Sequence, residues 1–186
     1  MKKFELTQET KLFLGKTLYR IKALISFGRV SAGDIGGWIE KEENLSQNGN
    51  SWVSGNASVF GNAIVSGYAS VSGNAIVSGY ARVSGNASVS GNASVSGNAS
   101  VFGNASVSGN DHIMWISKIG SRNDTITFMR SKKLKIIVIV GCFEGSIEEF
   151  EEKVKKTHGD NEHAKAYFLA IQLAKLRIDL TEETDA

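Results

Sequence analysis

The chain is predicted to be mainly β: a parallel β-helix held between a small N-terminal β cap and a C-terminal α+β cap. Three observations predict it. Valine recurs every six residues from Val53 to Val107, and Ile113 continues the series. Alanine keeps the same interval from Ala57 to Ala105, and glycine from Gly49 to Gly109. The flanking segments, residues 1–48 and 114–186, lack that interval. The domain division is therefore 1–48, 49–113 and 114–186.

In the first segment, Phe4 to Phe13 and Thr17 to Ile25 read as two strands joined at Gly15-Lys16. Gly33-Asp34-Ile35-Gly36-Gly37-Trp38-Ile39 reads as a turn-rich lead into the first coil. A solenoid needs such a cap, because bare strand edges invite further pairing.

The repeating unit is Ala-x-Val-x-Gly-Asn. Ala and Val are two apart, so an extended backbone turns both to one side and the intervening residues, mostly Ser, to the other. Gly-Asn supplies the backbone tolerance that a tight corner needs. Each hexad is a short strand plus a corner, and three hexads close a coil, with neighbouring coils about 4.8 Å apart. The resulting period of 18 predicts columns, such as Asn56, Asn74, Asn92 and Asn110 in an amide ladder and Ser54, Ser72, Ser90 and Ser108 on one face. Outward apolar residues gather early, at Trp52, Phe60, Ile64, Tyr68, Ile76 and Tyr80. A group of that size predicts a covered surface, beneath a terminal segment or another subunit, and these six residues are the expected oligomer interface.

In the third segment, His112 to Lys118, Thr125 to Met129 and Leu134 to Phe143 read as three strands. Ser146 and Glu149 form a capping-box pattern at the start of a helix. Early glutamates and late lysines match its dipole, and Ile147, Phe150 and Val154 form its buried stripe. Gly159 ends it, and Asp160 or Asn161 caps a second helix running to about Ile178. The inner face of that helix draws on Ala164, Tyr167, Phe168, Ile171, Ala174 and Ile178. The tail after Leu180 is polar and is expected to fray.

The successive pairs from Val53 and Ala57 to Val101 and Ala105 resemble the hexapeptide-repeat family of left-handed β-helices. The resemblance implies a left-handed parallel β-helix, and with it a homotrimer. Asp34-Ile35-Gly36-Gly37-Trp38-Ile39-Glu40, the repeat, Gly120-Ser121-Arg122-Asn123-Asp124-Thr125, Gly141-Cys142-Phe143 and Thr157-His158-Gly159-Asp160-Asn161 together look like hexapeptide-repeat proteins of phages, prophages and bacteria. That group carries no activity over to this chain. A phage origin implies, by association, a binder that blunts host defences.

Composition excludes several classes. Net charge is +2, with 41% hydrophobic and 22% charged residues, so no strong field points to nucleic acid or an anionic membrane. The N-terminus has charge without an apolar run behind it, which reads as no signal peptide. The apolar run Ile136 to Val140 is too short to span a bilayer. One cysteine, Cys142, excludes an intramolecular disulfide framework. These features together predict the cytoplasm.

Candidate sites are few. Residues 51–110 contain no His, Asp, Glu, Cys or Lys, and Arg82 is their one charged residue. A general base needs a titratable group within reach, so acyl transfer would fall to His112, just beyond the repeat. Cys142 and His158 make a nucleophile pair only if they meet in space; otherwise Cys142 is a small packing residue. Arg122, Asn123, Asp124 and Thr125 sit between two predicted strands. They read as a hydrogen-bonded turn, or as a site in which Arg122 grips a carboxylate or phosphate. No His, Cys and carboxylate spacing resembles a metal site, and no cofactor is implied.

The leading expectation is a non-enzymatic, trimeric binding protein of phage or prophage. It would sequester a small anionic, nucleotide-like ligand or dock on a host protein, with Arg122, Asn123, Asp124, Thr125 and His158 as the pocket. An enzyme acting through His112, or through Cys142 and His158, and a purely structural oligomerisation module are the alternatives.

Overall fold

In the computed structural model, which describes residues 1–131 and 134–181, every hexad forms a two-residue strand and a glycine corner. Strands β1 (Phe4–Phe13), β2 (Lys16–Ala23) and β3 (Ile35–Ile39) precede the solenoid. Its rungs are β4 (Trp52–Val53), β5 (Ser58–Val59), β6 (Ile64–Val65), β7 (Ser70–Val71), β8 (Ile76–Val77), β9 (Arg82–Val83), β10 (Ser88–Val89), β11 (Ser94–Val95), β12 (Ser100–Val101) and β13 (Ser106–Val107). The C-terminal cap comprises β14 (Ile113–Ile119), β15 (Asp124–Ser131), β16 (Lys135–Val140), β17 (Phe143–Ser146), α1 (Ile147–His158) and α2 (Glu162–Arg177).

The rungs stack in parallel, each residue opposite its counterpart 18 positions on: Trp52 faces Ser70, Ser58 faces Ile76, and Ile64 faces Arg82. This gives a solenoid of about four turns with three faces. The strand β3 pairs antiparallel with β2 and in parallel with β5. The lead read from sequence as turn-rich is thus the first rung of one face.

Alternation does what the hexad predicts. Val53 to Val107 and Ala57 to Ala105 are almost completely buried, and the residues between them face outward. At the corners from Gly49 to Gly103 the glycine takes the left-handed backbone and the following residue does not, while Gly109, which opens a short 3-10 turn, is extended. At Gly73 (φ 65°), an added Cβ would also lie 2.9 Å from the Gly91 nitrogen in the next coil. The amide ladder is real between Asn74 and Asn92 (3.2 Å) and between Asn86 and Asn104 (3.4 Å). Asn110 leaves it, because its Oδ1 accepts from the Ser94 N–H at 2.8 Å.

That departure follows from the polarity of the stack. Each coil donates N–H groups to carbonyls of the next, as Ser58 N–H does to the Ala75 oxygen at 2.9 Å. The N-terminal end therefore offers unpaired acceptors and the C-terminal end unpaired donors, which burial would make costly. At the first end side-chain donors answer: Asn44 Nδ2 to the carbonyls of Gly61 and Ala63, Arg20 to Gly55, and Lys3 Nζ to Ser51 at 2.9 Å. At the other end acceptors answer: Asn110, Thr127 Oγ1 to Ser100 N–H (3.1 Å), and His112 Nδ1 to Ser108 N–H (3.1 Å).

Lys3 is 1% exposed, with its ammonium 5.1 Å from the centre of the Phe27 ring. Burial pushes it down to about 8 from its ordinary 10.5. Between those values the unfolded chain binds more protons than the folded one, so this group makes stability rise with pH across that window. Below it, the full cost of burying the charge is present. Urea denaturation across the window should show the rise in the wild type and a flatter profile in Lys3→Met. That variant should also be less stable throughout by about 1–3 kcal/mol, because buried carbonyls lose their donor.

The C-terminal cap forms a second layer and a third. Its sheet has the order β14-β15-β16-β17, antiparallel throughout. The sequence predicts three strands here; the turn at Gly141-Cys142 divides the last of them, and β17 is the fourth. Gly141 (φ 57°) leads that two-residue turn, as a type II′ hairpin requires. Along β16 the side chains alternate: Ile137 and Ile139 close the solenoid core, while Ile136 and Val138 meet the helices. Both faces are covered, so the strand reads as an unbroken apolar run.

Ser146 and Glu149 form the expected capping box, and Asn161 accepts from the Ala164 N–H to cap α2. The inner face of α2 is as expected except that Ala170 joins it and Phe168 is only half-buried. Neither helix is long and apolar enough to cross a membrane, among the described residues. The tail expected to fray lies, from residue 182 on, outside the described residues.

Candidate functional site

A hydrogen-bonded turn over residues 120–123 joins β14 to β15, with Asn123 N–H donating to the Gly120 carbonyl at 3.3 Å, and Asp124 and Thr125 open β15. Asn123 takes the left-handed region (φ 52°), which its short polar side chain tolerates. Asp124 accepts from the Thr125 N–H at 2.7 Å. The turn expected from the sequence is therefore present, and it sets its side chains along the rims of two clefts.

The smaller cleft, about 230 Å³, lies between this turn, the β16–β17 turn and helix α1. Arg122, Lys153 and His158 converge on it with Asp124, over a wall that includes Phe143 and Tyr167. Among the described residues, Arg122 and Lys153 make no hydrogen bond or ion pair. The His158 ring lies 5.8 Å from that of Tyr167 and the same distance from that of His163. Burial, then the charge of Asp124, raises the Tyr167 phenol above its ordinary 10, against the pull of Arg122. Gly120 leaves the space that the Tyr167 hydroxyl fills.

The larger cleft, about 390 Å³, lies between the solenoid and the cap. Arg82, Asn98, Ser100 and Phe102 line its solenoid side, and Asn123, Asp124 and Thr125 its cap side. Asp124 and Gly141 belong to both clefts. The five residues expected to share one pocket are thus divided: Arg122 and His158 serve the smaller, Asn123 and Thr125 the larger, and Asp124 stands between.

No known protein family matches the sequence, and neither does any curated protein. The site must therefore be read from its own chemistry.

Cys142 is exposed and lines the same cleft as His158, but no hydrogen bond joins them among the described residues. His112 is 5% exposed and lines neither cleft. Its Nδ1 faces the Ser108 hydroxyl at 2.9 Å, and its Nε2 lies 2.9 Å from Arg130 Nη1. The fold also brings Asp111 and Asp179 to His112, with the three donor atoms within 4.8 Å of one another. Arg130 brings the cationic group there: it also donates to the Thr181 carbonyl at 3.0 Å, and its charge helps hold the Asp179 carboxyl low, after the hydrogen bonds from Thr181. Sequence reasoning missed this cluster, because nothing local relates residue 179 to residues 111 and 112.

Of the six expected interface residues, Trp52 needs correction. It is 9% exposed and lies beneath the N-terminal cap, edge-on to Phe4 and Phe27. Phe60 is half-buried, edge-on to Phe13, and Ile76 is half-buried too. Ile64, Tyr68 and Tyr80 are the exposed members. They cluster on one face, since Tyr68 and Tyr80 stand on the two corners flanking the column Ile64, Arg82, Ser100. A second exposed apolar group, Leu169, Leu173 and Leu176 on the outer side of α2, escaped the sequence reading. Spaced three and four apart, it looks in sequence like a core stripe.

Proposed function

We propose that this protein is a non-enzymatic, oligomeric binding protein that sequesters a small anionic, nucleotide-like ligand in the smaller cleft. The observation that carries the reading is the convergence there of two cations, Arg122 and Lys153, unpaired among the described residues, on a partly aromatic wall beside His158. Cations without protein partners keep their hydrogen-bonding capacity for a ligand, and the guanidinium fork suits a phosphate or carboxylate. Aromatic walls suit a flat apolar moiety. A mostly apolar cleft with a few convergent polar groups is the usual form of a small-molecule site. The cytoplasm of a phage-infected or prophage-bearing cell, and a role in counter-defence, rest on the resemblance of the whole chain alone.

Native mass spectrometry against the denatured mass tests the reading. An oligomer carrying extra non-covalent mass is expected, and that mass would name the ligand class. A bare oligomer that takes up no added nucleoside phosphate would overturn it, in favour of docking on a host protein.

The homotrimer is proposed to form through Ile64, Tyr68 and Tyr80. Replacing both tyrosines with lysine should convert the oligomer to monomer in sedimentation analysis with the coils intact. An unchanged mass would remove these residues from the interface.

A second reading, a Cys/His-dependent hydrolase, draws on one observation: Cys142 and His158 line the same cleft. Cys142→Ala separates the two. Ligand uptake should persist unchanged in a binding protein, whereas a hydrolase would accumulate unconverted substrate.

A further inference from the structure

The larger cleft differs in chemistry from the smaller. Arg82, the one charged residue of the coils, faces it and makes no hydrogen bond or ion pair among the described residues. Asp124 opposes it, so one positive and one negative group balance within the same walls. Asn98, Ser100, Asn123 and Thr125 add donors and acceptors in alternation, and Phe102 adds an aromatic ring. A bare anion would meet a single cation, Arg82, against the Asp124 carboxylate, where the smaller cleft sets both Arg122 and Lys153 against it. A hydroxylated ring meets neither conflict: each hydroxyl both donates and accepts, a guanidinium or carboxylate spans two neighbouring hydroxyls, and the ring's C–H face lies on an aromatic side chain.

The two clefts are also neighbours. Asp124 and Gly141 form the shared wall. The turn from β14 to β15 holds Arg122 toward one side and Asn123 and Thr125 toward the other. The solenoid contribution is a built feature of the repeat: Arg82 replaces the serine that occupies this position in the rung above it, Ser100, and in most others.

We infer that the larger cleft is a subsite for the sugar or other polyhydroxylated part of the ligand whose anionic part occupies the smaller one. The inference rests on the reading of the smaller cleft as an anion site. Amide NMR titrations of the full chain with inorganic phosphate, with ribose 5-phosphate and with ribose test it. Ribose 5-phosphate should bind about fivefold or more tightly than phosphate, the gain of roughly one added hydrogen bond. It should shift the Asn98, Ser100 and Asn123 resonances, which phosphate leaves in place. Arg82→Ala and Asn98→Ala should erase the gain and leave phosphate binding unchanged; both side chains are exposed and, among the described residues, unbonded, so the fold should tolerate their loss. Equal affinity for the two phosphates, with no shift in the larger cleft, would overturn the inference and leave the anion site standing. Failure of every probe to shift Ser121, Arg122 or Lys153 would overturn the anion site, and this inference with it.

Discussion

Val89→Asp should abolish cooperative folding, while Ser88→Asp, one residue earlier, should change stability by no more than about 0.5 kcal/mol. Val89 is fully buried between Val71 and Val107 of the adjoining coils, in a core of Val and Ala that offers a carboxylate no hydrogen-bond donor. An ion there would be neutralised or expelled, at a cost above about 4 kcal/mol. Ser88 points outward, its Oγ 3.3 Å from that of Ser70, and a carboxylate there stays hydrated. Thermal melts followed by circular dichroism should separate the pair. The folded carboxyl at position 89 would have a raised pKa, so the loss should be smaller below the ordinary carboxylate range and grow as pH rises through it. Equal effects at the two positions would mean that the alternation does not set the core. Because each coil rests only on its neighbours, the break should also uncouple the coils on either side.

Arg122→Ala should weaken binding of a nucleoside monophosphate about 10- to 100-fold, the contribution of a charge-assisted hydrogen-bonded pair. The melting temperature should not fall, since the side chain is exposed and bonds to nothing among the described residues. Arg122→Lys should fall between the two, because it keeps the charge and loses the planar fork. Calorimetric titration with parallel melts distinguishes this from a structural role. Unchanged affinity in the alanine variant would sink the assignment; lost affinity together with lost stability would make Arg122 a packing residue.

The two experiments probe what was and was not legible in the residues themselves. The hexad can be read without a structure because its information is local. The interval of six sets which side chains face inward, and the glycine in each unit sets the corner. The Ser146 and Glu149 capping box and the alternation of β16 are similarly local, and the structure contains them. Boundaries that depend on pairing were less visible: β17 separated from β16 only because Gly141-Cys142 folds the chain back.

The candidate site was half legible. Arg122, Asp124 and His158 do share a cleft, although 36 residues of chain separate the first from the last. Lys153 and Tyr167 complete that cleft; in sequence the first is a dipole partner and the second a packing residue, because helical spacing says which face a residue occupies and nothing of what lies opposite. Arg82 is legible in sequence as the lone charge of the coils, but its meeting with Asn123 and Thr125 depends on the cap folding back onto the solenoid.

By itself, then, the sequence determined the solenoid, its period, its inward and outward faces and the caps of its helices. Each of these follows from backbone geometry acting over a few residues. The tertiary structure alone decided which segments cover which ends. Backbone polarity leaves acceptors open at one end and donors at the other, and Lys3, Arg20 and Asn44 answer the first as Asn110, His112 and Thr127 answer the second. It also buried Trp52 under Phe4 and Phe27 and divided one loop between two clefts. Those outcomes depend on contacts between distant segments, which form by complementary shape and unpaired hydrogen-bonding groups and leave no periodic trace along the chain.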